Sequence, residues 1–157
     1  MSLAAEVRKK MGDDWLPALY RDRVRTGRTR AYTLALEPRE LRTEIFYSLL
    51  GIELKAGNKR FACPDLGTAR YLQVFARLGC DSCAVPYDIT KIPAIADDLE
   101  TSWQKSLLIL DEACAERSAS VRGRLRSALI AELRNEIEEI GAGELMPEFR
   151  QSTKQRK

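Results

Sequence analysis

Between residues 90 and 141, apolar side chains recur every three to four positions in two long runs. Ile92, Ala96, Leu99, Trp103, Leu107, Leu110 and Cys114 share one stripe, and Val121, Leu125, Leu129, Leu133, Ile137 and Ile140 share another. This is the period of an amphipathic helix. Thr90 can cap the first helix with Pro93 in its first turn, and Ser118 or Ser120 can cap the second with Gly141 as its stop. Only a few residues join them, so the pattern predicts a helical hairpin folded back antiparallel. The first helix is acidic (Asp97, Asp98, Glu100, Asp111, Glu112). The second begins basic (Arg122, Arg124, Arg126) and ends acidic (Glu136, Glu138, Glu139). Two helices of this length carry more apolar surface than a short sheet can cover.

Upstream the period alternates between helix and strand. A helix is expected at 3–11 and another from Asp14 to Arg25, with Pro17 in its first turn and Gly27 as its end. Tyr32, Leu34 and Leu36 then alternate with Ala31, Thr33 and Ala35 as in a strand. Pro38 to Gly51 reads as a helix, with Leu41, Ile45 and Leu49 in line. Residues 52–63 read as a hairpin around Ala56-Gly57-Asn58, residues 67–79 as a helix bearing Tyr71, Leu72, Phe75 and Leu78, and Cys83, Val85 and Tyr87 as a last strand. The resulting order, βαββαβ, is that of the ferredoxin-like architecture. The expected fold is therefore α+β: a small antiparallel sheet in that order, N-terminal helices and a C-terminal helical hairpin. The alternative is a mostly α domain in which only the 52–63 hairpin is β. On the proposed sheet, Tyr32, Leu34, Leu36, Phe61, Cys63, Val85 and Tyr87 would pack under the two helices. Ala31, Thr33, Ala35, Ala62 and Ala84 would form a small-residue face open to close approach.

A chain of 157 residues with 45% hydrophobic and 31% charged side chains can bury the core of one domain. Its expected parts are N-terminal helices (1–29), an α+β core (30–88), the helical hairpin (89–141) and a tail (142–157). No apolar run nears the roughly 20 residues that span a bilayer. The N-terminus lacks the pattern of a signal peptide, so the expected setting is cytoplasmic, with no membrane partner and reduced cysteines.

Histidine is absent, which removes the Ser-His-Asp, Cys-His and HExxH systems. Asp13-Asp14 and Asp97-Asp98 are adjacent pairs that diverge on a helix, as a cap and a solvated face do. No glycine cluster completes a phosphate or dinucleotide motif, and no cofactor is implied. Cys80-Asp-Ser-Cys83 resembles a redox pair by spacing, but a helix ends before it where a redox pair would open one. With Cys63 and Cys114 it would make a four-cysteine metal set of one close pair and two distant singles. The commoner reading is four buried thiols.

Residues 1–60 carry 13 Lys/Arg against 8 Asp/Glu. Arg21, Arg23, Arg25, Arg28 and Arg30 fall within ten residues, and Lys55, Lys59 and Arg60 form a second basic patch, so a nucleic-acid-binding reading is open. The expectation with most behind it is a non-enzymatic interaction or regulatory protein. It would act through the helical hairpin, as a homodimer or on a protein partner. Nucleic acid and a cysteine-held metal or redox role stand as alternatives.

Overall fold

Ser2 caps α1 (Leu3–Met11) through its side chain. A 3₁₀ turn at Gly12–Asp14 leads into α2 (Leu16–Leu19), which has Pro17 in its first turn and widens into a π-helical turn over Tyr20–Val24. The strands are β1 (Thr29–Thr33), β2 (Thr43–Ser48), β3 (Gly51–Ala56), β4 (Lys59–Cys63) and β5 (Ser82–Pro86). Helix α3 (Leu66–Arg77), capped by Asp65, lies between β4 and β5, and α4 (Ile92–Ala113) and α5 (Ala119–Ile140) complete the chain. This computed structural model describes residues 2–143; the basic end at 154–157 and most of the expected 142–157 tail lie outside them.

The mixture of helices with small antiparallel sheets is as the sequence suggests, but the βαββαβ order is not what forms. The expected helix over 38–51 is instead β2, preceded by extended chain. Leu41, Ile45 and Leu49 sit four apart, yet Leu41 is buried, Ile45 half-buried and Leu49 fully exposed, so they share no face. Thr43-Glu-Ile-Phe-Tyr47 is rich in β-branched and aromatic side chains, which fit a pleated surface. Gly51, expected to end a helix, closes the β2–β3 turn at φ 111°.

Two sheets result: β1 pairs antiparallel with β5, and β2, β3 and β4 form a meander in that order. β4 approaches the β1 segment without pairing with it. Tyr32 and Phe61 meet edge to face at 6.4 Å, and the Lys59 ammonium donates to the carbonyl of Ala35 at 2.7 Å. Among the described residues the meander's inner face is covered chiefly by α3, because its expected partner over 38–51 is a strand. Ile45, Leu54 and Phe61 share that face across the register, and Leu54 is wholly buried. Of the small-residue set only Ala84 is buried; Ala31, Thr33, Ala35 and Ala62 are exposed, and no described element covers them.

Asp88 caps the 3₁₀ turn Ile89–Lys91 that opens α4, in place of Thr90, and Ser118 caps α5. The α4 stripe is buried at Ile92, Ala96, Leu99, Trp103, Leu110 and Cys114. On α5 burial is confined to the second half, at Leu129, Leu133 and Ile137. The two helices touch each other little. α4 lies on α3 and α1, and α5 on α1 and α2, so most of the α4 stripe and the second half of the α5 stripe are buried inside the chain, while Val121 and Leu125 stay half-buried. Among the described residues no helix is long and apolar enough to cross a membrane.

At the junction of the two sheets, Gly79 follows α3 with φ 72°. A Cβ there would lie 2.2 Å from the Arg39 carbonyl oxygen and 2.4 Å from that of Glu37. The loop joining β1 to β2 therefore passes directly over a glycine that no other residue can replace without backbone movement.

Candidate interaction edge

The arginines of the 21–30 stretch do not form one surface. Arg21 pairs with its neighbour Asp22, and Arg23 with Asp98 of α4. Arg25 turns inward to the Thr29 hydroxyl at 3.0 Å and the Gly143 carbonyl. Arg28 stacks over the Tyr87 ring at 4.4 Å, while Arg30 is exposed on β1. In the second patch Lys59 is engaged with backbone carbonyls, Lys55 of β3 lies opposite Arg60 of β4, and Arg60 lies over Phe46 at 5.1 Å. Only Arg23 and Arg28 come together, joined by Lys91 around a cleft of about 570 Å³ beside Tyr87. Among the described residues, neither Arg28 nor Lys91 has a carboxylate within ion-pairing distance.

The four cysteines are all reduced and buried. Burial pushes the Cys80 thiol up to about 12, with Glu138 adding to the effect, and holds Cys83 well above its ordinary range. Burial raises Cys63 as well. Cys114 donates its S–H to the Leu110 carbonyl at 2.8 Å. Thiols held protonated are poor nucleophiles and poor metal ligands at neutral pH. Among the described residues no three His, Cys, Asp or Glu side chains come together as metal ligands would.

A feature that the sequence reading missed is the outer edge of the meander. β2 pairs with β3 through six successive residues, from Thr43↔Ala56 to Ser48↔Gly51, without a bulge. Its other edge faces no strand. Among the described residues no hydrogen bond outside that ladder reaches the backbone of 43–48. About half of a strand's peptide groups point to each side, so a row of donors and acceptors is left facing out.

Natural edges are usually blunted by lysine, proline or a bulge. β2 has none of these. Its sequence Thr-Glu-Ile-Phe-Tyr-Ser carries one charge, Glu44, and runs into Leu49-Leu50 at the turn. There the apolar exposure is greatest: Tyr47 is 72% exposed, Leu50 86% and Leu49 fully so. Odd-numbered residues of β2 face α3, since Thr43 accepts a hydrogen bond from Gln73 of α3 at 3.2 Å and Ile45 lies opposite buried Leu54. Even-numbered Glu44 and Phe46 share the opposite face with Arg60.

At the start of β2 lies a second cleft of about 570 Å³. It is lined by Leu41, Thr43, Gln73, Trp103, Leu107 and Arg126, among others, with the Arg126–Glu40 ion pair at its rim. β2 thus has an apolar projection at one end and a concave surface at the other. The missed signal was in plain sight as Ile-Phe-Tyr-Ser-Leu-Leu, six residues of high β-propensity and no charge. No known family, no curated protein and no solved structure matches the chain.

Proposed function

We propose that this is a non-enzymatic interaction protein that works by adding a partner strand to the open edge of β2. The observation that carries the reading is the unpaired backbone of Thr43–Ser48 continuing into the exposed Tyr47, Leu49 and Leu50. Strand addition takes its affinity from main-chain hydrogen bonds and its selectivity from alternate side chains. The surface differs from the one suggested by the hairpin stripes, of which the α4 stripe and the second half of the α5 stripe are largely buried.

A labelled peptide with the sequence of residues 43–50 tests this. It should bind the protein in excess, as read by fluorescence anisotropy. Methylating alternate peptide nitrogens, which deletes one edge's donors, should abolish binding. Equal binding by the methylated peptide ends the reading, and so does slow hydrogen exchange at 43–48 in a chain that stays monomeric.

A second reading rests on Arg28 stacked over Tyr87 beside Lys91 and Arg23: a small phosphate-binding cleft that engages nucleic acid. It requires retention on a nucleic-acid column that falls with salt and is lost in Arg28→Ala/Lys91→Ala. Retention unaffected by that pair removes it.

A further inference from the structure

We propose that the strand added to β2 is β2 of a second copy of this chain, in an antiparallel pair about a two-fold axis through Ile45. The inference rests on the open-edge reading above and names its occupant.

The symmetry is restrictive. Two identical antiparallel strands are related by an axis perpendicular to the sheet, so residue i faces residue j only where i and j sum to an even number. An axis at Glu44 would set two carboxylates against each other, which destabilises a sheet. An axis at Ile45 instead sets Glu44 opposite Phe46 of the other copy. The Arg60 guanidinium lies 5.1 Å over that same ring, so Glu44, which already faces Lys55 across its own ladder, gains a second cation from the other copy. The relation occurs twice, as an isologous interface requires.

The same axis sets Tyr47 opposite Thr43 of the second copy, Leu49 opposite Leu41 and Leu50 opposite Glu40. Thr43, Leu41 and Glu40 all line the cleft at the start of β2. Tyr47 and Thr43 both lie on the α3 side, where the cleft opens. Leu49 and Leu41 are each four residues from the axis, about 13 Å along the strand, so projection and cleft coincide. Each copy lays its exposed leucines against Leu41, Trp103 and Leu107 of the other, the apolar side chains of a cleft whose remaining lining is polar and charged. A six-residue edge is only about 20 Å long, too narrow for the roughly 800 Å² per partner of a stable pair. The two tip-in-cleft contacts extend it at both ends. The product is a continuous six-stranded sheet, β4-β3-β2-β2-β3-β4, with both α3 helices on one side.

Sedimentation equilibrium of the full chain should give twice the 17.8 kDa mass, falling to the single mass in Tyr47→Lys. Leu50→Asp, at the turn and outside the ladder, should do the same if Tyr47→Lys fails to fold. Glu44→Arg places two cations together and should weaken the pair about tenfold, near the upper limit for cross-strand charge contacts. Glu44→Arg with Arg60→Glu restores the attraction and should recover the parent affinity. A double mass that survives both Tyr47→Lys and Leu50→Asp, or no recovery in the charge swap, overturns the proposal. Hydrogen exchange at 43–48 separates the remaining cases. A single mass with fast exchange there overturns the second copy alone and leaves the edge open to another chain. A single mass with slow exchange overturns the open edge as well.

Discussion

The two outermost strands of this protein, β5 and β2, treat the same problem in opposite ways. On β5, the peptide groups of Ala84 that β1 does not use are taken by tyrosine hydroxyls: Ala84 N–H donates to Tyr20 at 2.8 Å, and Tyr71 donates to the Ala84 carbonyl. Tyr20 in turn donates to the Gly141 carbonyl at 2.8 Å, which ties the strand to the end of α5. Both phenols are buried, and burial raises the pKa of each, so they remain donors at every physiological pH. β5 is buried from Cys83 to Pro86, and at Ala84 its edge is satisfied within the chain. β2 has no such cap and no such cover. The difference separates a strand that belongs to the core from one that is offered outward. A buried peptide group must find its partner at home, while a surface one can wait for another chain.

The contrast is sharpest at the point where the two sheets are joined. Gly79→Ala puts a methyl group into the Glu37–Arg39 backbone at a positive φ. It should cost about 3 kcal/mol or more, read as a shift of the urea midpoint. A loss under 1 kcal/mol would mean that the loop between β1 and β2 is not locked there, and the two edges would not belong to one rigid body.

Next in size is a paired comparison of tyrosines. Tyr20→Phe strands the Ala84 N–H in the interior and should destabilise by about 1–3 kcal/mol. Tyr47→Lys, on the exposed edge, should change the stability of the isolated chain by less than about 0.5 kcal/mol. Equal losses in urea titrations of the two variants, made at a concentration where the chain is monomeric, would erase the distinction between a sealed and an open edge.

The last expected effect is confined to alkaline pH and vanishes at neutrality. An unfolded thiol ionises near pH 8.5–9, while folded Cys80 keeps its proton up to about 12, and Cys83 lies beside it, also raised by burial. Above about pH 9 the unfolded chain therefore binds fewer protons than the folded one. Stability that is fully present below that pH should fall by about 1.4 kcal/mol per pH unit for each such thiol. Cys80→Ala should reduce the slope. A profile that stays flat into the alkaline range would mean that the sealed side admits water.

Much of this architecture is legible in the residues alone. The stripes of α4 and α5, the helix over Tyr71 and Phe75, the hairpin at 52–63 and the buried cysteines all follow from period, capping and hydrophobicity. The segment 38–51 does not. Its apolar residues fit a four-residue spacing and a two-residue spacing about equally, and only pairing with β3 selects the strand. The arginines illustrate the same limit for the candidate site. Charge density near Arg21–Arg30 is visible in the sequence, but the side chains disperse to Asp22, Asp98, Thr29 and Tyr87.

By itself the sequence determined which segments outside 38–51 are amphipathic and with what period, and which chemistry is missing for want of histidine. Those properties are local: a stripe or an absent imidazole is set by neighbours a few positions away. The tertiary structure decided which strands pair, what covers each helix stripe, and which edge is left without a partner. Those depend on contacts between residues far apart in the chain. Ala84 is sealed because Tyr20 and Tyr71 reach it, and β2 is open because nothing in the described chain does.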